Sequence, residues 1–257
     1  MNMILQKVAL NTLWQIIGKT ISIVTGIAVI TLLTRSLGAE GYGGFTTVTA
    51  YLQFFGIIVD FGLTLIAVQM LSTNKWDERK LFNNFMSLKV VTSLFVFGLA
   101  VVIAWFTNYP VIVKTAITIA SVSFFLNTIQ QVYVGWYQKY LIIAKLALAE
   151  VLSKFVLLGG VLFIVFSLGG LVELMPVLIA ASATYLFFSL FFIRDRYTLG
   201  FAFDVDIIKE ILRRSWPIAL GILFNLIYLK ADTIILSFTR TQAEVGIYGA
   251  SFRILEV

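Results

Sequence analysis

The residues of this chain that could do chemistry are ionisable side chains that lie inside long apolar segments. Lys19 is the first of them, in an apolar stretch that contains no other charge before Arg35. If such a segment spans a bilayer, an ionisable group near its middle costs roughly 2.5–3.5 kcal/mol, which makes it a functional candidate by default. The later apolar segments carry the other members of this set: Asp60, Lys89, Glu150, Lys154, Lys230, Asp232 and Arg253.

The chemistry open to these residues is narrow because the chain contains no cysteine and no histidine. This composition excludes disulfides, thiol nucleophiles, imidazole bases and the usual zinc ligands. Lysine, arginine and carboxylate side chains remain, and these bind ions and polar groups by charge and hydrogen bonding. We therefore expect no catalytic residue, no metal site and no cofactor, and we predict that the protein is not an enzyme.

The composition indicates that these charges lie in a protein whose surroundings are the lipid bilayer. The chain is 60% hydrophobic and 12% charged, with a mean hydropathy of +0.98, whereas soluble domains carry about 25% charged residues. A transmembrane helix needs about 20 apolar residues, and the predicted fold is an all-α, polytopic membrane helix bundle. The sequence predicts complete spans at residues 11–33, 42–71, 81–106, 111–134, 141–168, 174–193 and 216–238.

The predicted turns and the end of the chain indicate how the bundle is organised. An eighth apolar segment begins at Val245 and ends at Val257, which is too short to cross a bilayer, so we expect an N-terminal piece of a longer protein. The largest turn is the connector at residues 194–215, whose second half has the apolar spacing of a short surface helix. Because no turn is long enough to form a domain, the function must be carried out inside the bilayer.

The distribution of lysine and arginine predicts the orientation of the bundle. The N-terminal tail and the even-numbered turns carry Lys7, Lys75, Arg79, Lys80, Lys139, Lys145, Arg194, Arg196, Lys209, Arg213 and Arg214. The opposite turns carry Arg35 and Arg240, with Lys114 just inside the fourth span. Cytoplasmic loops are enriched in such cations, so the N-terminus is predicted to lie in the cytoplasm. The same rule explains the net charge of +6, and we expect no nucleic-acid partner.

An internal repeat relates the first span to the seventh. The first copy reads "TRSLGAEGYGGF" from Thr34, and the second reads "TRTQAEVGIYGASF" from Thr239, with matched residues 204–206 positions apart. Six crossings separate the copies, so the two halves share an orientation and are related by an axis along the membrane normal. We therefore predict two domains: residues 1–200, a six-helix transmembrane lobe, and residues 201–257, the cytoplasmic connector with the first one to two helices of a second, truncated lobe.

Four short blocks resemble a known family of membrane transporters. They are "TRSLGAEGYGGF" after the first span, "DFGL" at residues 60–63, "KADTIILS" at residues 230–237 and "AEVGIYGASFRILE" at residues 243–256. The chain resembles the polysaccharide exporters, or Wzx-type O-antigen and oligosaccharide flippases, of the multidrug/oligosaccharidyl-lipid/polysaccharide superfamily. This resemblance implies a parent fold of twelve to fourteen helices in two lobes around a central cavity that opens alternately to each side.

The cations inside the spans predict a mildly cationic, water-filled cavity, and the resemblance supplies a lipid diphosphate as its anion. Lysine suits this role because its ammonium is a strong point charge. The predicted anion-binding residues are Lys19, Lys154, Lys230 and Arg253. The acids predicted to form cavity ion pairs or to couple transport to an ion are Asp60, Glu150 and Asp232.

Structural interpretations of the same charges are also open at this stage. Lys19 could pair with Asp60, and Glu150 lies one helical turn before Lys154, the favourable order for an i, i+4 pair. Asp232 could hold the neighbouring Lys230. Lys89 lies close enough to the interface to extend its amine to the headgroups, so we interpret it as a snorkelling residue.

Neutral polar residues at membrane depth are candidate sugar contacts, because amides bind hydroxyl groups by hydrogen bonds. Each of them could instead form a hydrogen bond between helices. They are Asn127, Gln130, Gln131 and Asn225.

The leading functional hypothesis is a flippase in the cytoplasmic (inner) membrane of a prokaryote. It would carry undecaprenyl-diphosphate-linked oligosaccharide or polysaccharide repeat units by alternating access. Its expected partners are this substrate, membrane lipids and other polysaccharide-assembly membrane proteins. One alternative is a drug or cation exporter of the same superfamily, which would need an acid-dominated cavity. The other is a non-transporting membrane scaffold, which has little reason to carry charges at mid-bilayer.

Overall fold

The predicted all-α bundle is confirmed. A computed structural model describes residues 2–73, 75–194 and 200–255, apart from the side chains of residues 2–10, 223, 226–230 and 253–255. Within these residues every regular element is a helix. In chain order the helices are α1 (Asn2–Asp60), α2 (Leu63–Ser72), α3 (Glu78–Phe106), α4 (Val111–Lys139), α5 (Ile143–Phe166), α6 (Leu171–Phe191), α7 (Val205–Thr239) and α8 (Gln242–Leu255).

The bundle is that of a multi-pass membrane protein. Among the described residues, 5 helical segments are long and apolar enough to cross a membrane, namely Asn11–Ser72, Glu78–Phe106, Val111–Lys139, Ile143–Phe166 and Leu171–Phe191. The first of them has 62 residues and contains both the first and the second predicted spans. The seventh predicted span lies within α7, and the eighth apolar segment lies in α8.

A single glycine divides α1 into two helical arms, residues 2–37 and 39–60. Gly38 has φ 67° and ψ −176°, a conformation that is open to glycine because it lacks a Cβ. The first arm runs parallel to α5, since Gly18 lies against Ala147 and Ser22 donates a hydrogen bond to Glu150.

The second arm of α1 runs parallel to α4 and antiparallel to the first arm. A Cβ on Gly44 would lie 3.6 Å from Val113 at the start of α4, and Asp60 shares a cavity with Gln131 near its end. The bundle therefore has two ends. We call the end that holds Asn11 and the α2–α3 turn the N-terminal end, and the end that holds Gly38 and the α3–α4 turn the opposite end.

The second predicted span is interrupted, which the sequence analysis did not predict. α1 ends at Asp60, and α2 begins at Leu63. Between them Phe61 has φ 43° and Gly62 has φ 75°, so two consecutive residues adopt the left-handed conformation. The "DFGL" block is thus a helix break.

Two clusters of buried side chains hold the helices together. The cluster toward the opposite end includes Tyr51, whose hydroxyl donates to the Ala100 carbonyl at 2.7 Å. The cluster toward the N-terminal end includes Tyr137, whose hydroxyl donates to the Ser189 carbonyl at 2.7 Å. Because lipid is as apolar as these side chains, packing and interhelical hydrogen bonds drive helix association.

The connector after α6 is fixed to the first turns of α3. The backbone N–H of Ala202 donates to Ser87 Oγ at 3.0 Å, and that of Asp204 donates to Asn84 Oδ1 at 2.7 Å. The Asp204 carboxylate pairs with Lys80 at 2.5 Å and caps the N-terminus of α7. The hydrogen bond from Lys80 and those from the backbone hold the pKa of Asp204 below its ordinary value.

The predicted surface helix of the connector is not a separate element. It forms the first turns of α7, a continuous helix of 35 residues that contains Pro217. Glu210 on this segment pairs with Arg214 at 2.7 Å, with Arg213 at 3.1 Å and with Lys75 at 3.9 Å. The hydrogen bond from Arg214 is the main cause that lowers the pKa of Glu210.

At the opposite end, α8 packs closely on the second arm of α1 through glycines. The Gly43 Cα lies against the Gln242 carbonyl, and a Cβ on Gly246 would lie 2.8 Å from the Gly43 nitrogen. Gly249 contacts the Thr46 side chain. Both Gly43 with Gly246 and Thr46 with Gly249 are 203 positions apart, close to the spacing of the internal repeat. The repeated segments therefore face each other in nearly equivalent register.

Candidate functional site

The first polar opening of the bundle is a groove between the first arm of α1 and α5. Its volume is about 480 Å³, and Lys19, Gln15, Thr20 and Glu150 are among its lining residues. The groove follows from the parallel packing of the two helices, which brings Gly18 against Ala147 and leaves the neighbouring polar side chains on one face. We call it the lysine groove.

A second opening, the inner cavity, lies between the second arm of α1 and helices α4, α5 and α6. Its volume is about 440 Å³. Lys154 and Glu150 are its charged lining residues, and Asn127, Gln53 and Tyr185 are among its polar ones. Ionisable residues within membrane-spanning helices often mark substrate or ion pathways, and Lys154 and Glu150 are half-buried here.

A third opening, the aspartate cavity, lies between the break in the second span and α4. Its volume is about 550 Å³. Asp60 is its charged lining residue, accompanied by Thr64, Gln131, Asn127 and Gln53.

These three openings of the described part of the bundle share lining residues and so adjoin one another, and we call them together the polar track. Glu150 lines both the lysine groove and the inner cavity. Gln53, Phe124 and Asn127 line both the inner cavity and the aspartate cavity. The track therefore extends from Lys19 to Asp60 by way of Lys154.

The two predicted anion-binding lysines of the first half lie on this track. Among the described residues, neither Lys19 nor Lys154 has a carboxylate oxygen within 4.0 Å of its amine. Glu150 instead accepts a hydrogen bond from Ser22 at 3.0 Å. The structure thus shows no ion pair between Glu150 and Lys154.

Asp60 and Lys89 form a buried ion pair, which corrects two interpretations. Lys89 is 1% exposed and its Nζ contacts the Asp60 carboxylate, so the snorkelling interpretation of Lys89 was wrong. Pairing of Lys19 with Asp60 was also wrong, because Lys19 lines the lysine groove and Asp60 lines the aspartate cavity. Packing of α3 against the second arm of α1 turns Lys89 inward.

Two of the predicted sugar contacts line the track. Asn127 faces the inner and aspartate cavities, and its Nδ2 donates to Ser182 Oγ at 3.0 Å. Ser182 in turn lies 2.7 Å from Ser123 Oγ, so this amide also bridges α4 and α6. Gln131 lines the aspartate cavity, and its Oε1 lies 3.5 Å from Lys89 Nζ.

The other two predicted sugar contacts lie away from the track. Gln130 is 3% exposed and interacts with Tyr185, and it lines none of the three openings. Asn225 is exposed on α7 and lines none of them either.

The candidates in α7 and α8 are only partly described. The side chains of Lys230 and Arg253 lie outside the described residues. Asp232 is described, and it accepts hydrogen bonds from the Tyr248 hydroxyl and from the Thr233 backbone N–H. Asp232 therefore links α7 to α8.

Several neutral polar residues of the track were missed by the sequence analysis, among them Gln15, Gln53, Thr64 and Tyr185. Each is a neutral polar residue within an apolar span, and this was the signal available in the sequence. Among the described residues, no group of three His, Cys, Asp or Glu side chains is close enough to hold a metal ion.

The fold and the polar track define the class of the protein, a multi-pass α-helical membrane protein with charged cavities inside the bundle. The sequence profile of the family described as "Polysaccharide biosynthesis protein" matches residues 4–257, and the chain belongs to this family. No curated protein and no solved structure matches the chain. The family resemblance that was predicted from four short blocks is thereby confirmed, and family and fold together support a membrane transporter.

Proposed function

We propose that this chain forms the first half and the start of the second half of a flippase for lipid-linked oligosaccharide. The substrate is an undecaprenyl-diphosphate-linked oligosaccharide or polysaccharide repeat unit, as the family resemblance implies. The observation that carries the proposal is the polar track, on which Lys19 and Lys154 lie without an ion-pair partner among the described residues.

The two lysines supply the chemistry that a diphosphate requires. A lysine ammonium interacts with phosphate oxygens as a point charge and can release them again. Glu150 lies between the two lysines on the track, and its negative charge limits how tightly an anion is held there. Such moderate binding suits a transport site, which must release its substrate on the far side of the membrane. Lys230 and Arg253 are proposed to complete this anion site from the second half.

The sugar part of the substrate is proposed to lie toward the aspartate cavity. Gln53, Asn127, Gln131 and Thr64 line this cavity with amide and hydroxyl groups, which donate and accept hydrogen bonds to sugar hydroxyls. The inner cavity with Lys154 adjoins it. This arrangement would place the diphosphate at the lysines and the first sugars next to Asp60.

The proposal includes an orientation and a path. The N-terminal end, where most of the lysines and arginines lie, faces the cytoplasm of a prokaryotic cell. The opposite end is proposed to face outward, where the glycine contact between α1 and α8 would keep the path closed. The two halves, residues 1–200 and the half that begins at residue 201, rock to open the cavity alternately to each side. Membrane lipids and other polysaccharide-assembly proteins are the expected neighbours.

The test is complementation in the source organism after deletion of the gene. The wild type, Lys154→Ala, Lys154→Arg and Lys19→Ala are compared at matched abundance in the membrane, with Lys145→Ala as the control. Lys145 is an exposed lysine of α5 that lines none of the three openings. We expect the two alanine variants of the track to lose surface polysaccharide and to accumulate lipid-linked intermediate inside the cell.

The pattern of rescue decides between the hypotheses. Lys154→Arg should retain part of the export, because it keeps the positive charge, and Lys145→Ala should export normally. Normal export by both Lys154→Ala and Lys19→Ala would contradict the proposed anion site. Normal surface polysaccharide in the gene deletion itself would contradict the flippase, and altered drug sensitivity would then favour the exporter.

A further inference from the structure

One buried charge of the bundle is not used by the proposed binding site. Lys89 of α3 is 1% exposed, and its Nζ contacts the carboxylate of Asp60, the last residue of α1. The same Nζ lies 3.5 Å from Thr64 Oγ1 and 3.5 Å from Gln131 Oε1. A single ammonium group therefore joins α3 to α1, α2 and α4.

These contacts surround the break in the second span. Phe61 and Gly62 form the break with φ 43° and 75°, and a left-handed conformation at a residue with a Cβ costs roughly 1–2 kcal/mol. Such strain persists only where the surroundings hold it in place. Asp60 precedes the break and Thr64 follows it, and the Thr64 hydroxyl donates to Asp60 Oδ1 at 2.5 Å. The Lys89 ammonium contacts both Asp60 and Thr64, so its charge stabilises the hydrogen bond between them.

The first helix of the second half packs against the same break. The Phe61 ring lies 5.7 Å from the Trp216 ring, measured between centroids. A Cβ on Gly62 would lie 3.0 Å from Ile218 Cγ2 and 3.5 Å from the Ser215 carbonyl. Residues 215–218 of α7 thus follow the shape of a turn that a glycine at position 62 favours.

We propose that Lys89 is a positioning residue that determines how α7 is seated on the first six spans. The Lys89 ammonium holds the Asp60 carboxylate in place, and the hydrogen bond between Thr64 and Asp60 stabilises the turn. The turn then places the Phe61 ring and the Gly62 Cα against α7. Resting on the proposed flippase function, this seat is the pivot at the N-terminal end about which the two halves move.

Removing both charges of the pair distinguishes a positioning role from simple helix association, because the two roles predict different results. Loss of one partner leaves a buried charge without compensation and destabilises the fold, whereas neutralising both partners of a buried pair is often tolerated. If the pair only stabilises the bundle, the doubly neutral protein behaves like the wild type. If Lys89 positions α7, the doubly neutral protein is stable but its α7 is seated differently.

The experiment measures the position of α7 in the purified chain by electron–electron double resonance. The chain has no cysteine, so nitroxides can be attached to cysteines placed only at Val156 of α5 and Leu220 of α7, both of which are exposed. We expect a single narrow distance distribution in the wild type. Lys89→Met and Asp60→Asn should each shift or broaden it by several ångströms.

The controls separate charge from position. Lys89→Arg should retain the narrow distribution, and the double variant Asp60→Asn/Lys89→Met should recover the melting temperature while its distribution stays broad. Lys139→Met removes another ion pair, Lys139 with Glu78 at 2.8 Å, and should leave the distribution unchanged. The proposal is overturned if Lys89→Met and Asp60→Asn keep the wild-type distance distribution. It is also overturned if the double variant recovers both the melting temperature and the narrow distance distribution.

This measurement uses no substrate, so its outcome is independent of the proposed function. A shifted distribution with normal export by the track variants would leave the positioning role standing and contradict the flippase site. An unchanged distribution together with loss of export by Lys154→Ala would contradict the positioning role and support the flippase site.

Discussion

Glu150 lines two of the three openings of the polar track. It lines the lysine groove with Lys19 and the inner cavity with Lys154, and it accepts a hydrogen bond from Ser22. A carboxylate in this place opposes the binding of an anion. At a separation of about 8 Å and an effective dielectric constant of about 20, the repulsion between two unit charges is about 2 kcal/mol. The acid therefore sets the affinity of the proposed site.

Glu150→Gln should tighten the binding of a prenyl diphosphate. Removal of the repulsion is expected to lower the dissociation constant of farnesyl diphosphate by roughly thirtyfold, and slower release should reduce export in cells. Tryptophan-quenching titrations of the purified protein give the dissociation constant. Glu40→Gln, at an exposed residue of the opposite end, is the matched control and should bind like the wild type. Equal affinities of wild type and Glu150→Gln would show that no anion binds near Glu150.

At the residue scale, the sequence identified the charged residues but not their partners. Lys19 and Lys154 were predicted from their position in apolar segments, and both lie on the track. The partner of Asp60 was assigned wrongly because depth along a span does not say which helices are neighbours. Lys19 and Lys89 have similar predicted depths, and only the packing of α3 against α1 brings Lys89 to Asp60.

At the element scale, residues 202–204 of the connector are held in place, because polar side chains of α3 bind their backbone. Asn84 is buried, accepts from the Asp204 N–H and donates to the Lys80 carbonyl. Asn84→Ala leaves a backbone donor without its partner, which costs about 1–3 kcal/mol. We expect faster hydrogen exchange at residues 202–208 in this variant. Asn108→Ala, an exposed residue of the α3–α4 turn, serves as the control, and identical exchange in both variants would contradict the prediction.

The pH dependence of the connector follows from Asp204. Hydrogen bonds from Lys80 and the backbone lower its pKa in the folded state, while the unfolded value is about 3.9. Its contribution to stability is therefore fully present above the unfolded pKa and is lost as the pH falls through the folded pKa. The difference in melting temperature between wild type and Asp204→Asn should be largest near pH 6 and should vanish toward pH 2. A difference that is constant with pH would contradict the assignment.

Replacing the glycine in the break of the second span tests whether the turn needs a residue without a Cβ. Gly62→Ala places a Cβ at φ 75° and 3.0 Å from Ile218, and we expect a loss of about 1–2 kcal/mol in the free energy of unfolding. Gly26→Ala is the matched control, because its Cβ would meet no atom within 4 Å and alanine is favoured in a helix by roughly 0.5–1 kcal/mol. Unfolding in increasing sodium dodecyl sulfate measures both variants. Equal stability of the two variants would show that the turn does not need a glycine.

The same element shows why part of the fold was not predicted. Apolar length and periodicity located the helices, but they carry no information about a two-residue interruption within an apolar run. A signal was present, since the predicted second span, residues 42–71, is longer than the approximately 20 residues that a bilayer requires. The surface helix of the connector was located correctly, but its apolar spacing did not indicate that it continues without interruption into α7.

At the scale of the whole molecule, the described residues of α7 and α8 contact the rest of the bundle at both of its ends. At the N-terminal end, α7 packs on Gly62 of the broken span. At the opposite end, α8 packs on Gly43, and Tyr109 bonds to Ser237 at 2.8 Å and stacks on Phe238. Alternating access requires that one of these contacts separates while the other persists. Because the seat on Gly62 is the proposed pivot, we expect the glycine contact at the opposite end to be the one that separates.

Gly246→Ala tests which contact separates. Its added Cβ would meet the Ala39 carbonyl and would lie 2.8 Å from the Gly43 nitrogen, so α8 cannot approach α1 and the opposite end is held open. A single cysteine at Thr46, which contacts α8, should then react with a membrane-impermeant maleimide added outside the cell several times faster than in the wild type. Gly221→Ala is the control, because its Cβ would meet no atom within 4 Å, and it should leave the labelling rate unchanged. An unchanged rate in Gly246→Ala would mean that this contact does not close the outward path. Faster labelling only in opened, inside-out vesicles would place the opposite end in the cytoplasm and reverse the proposed orientation.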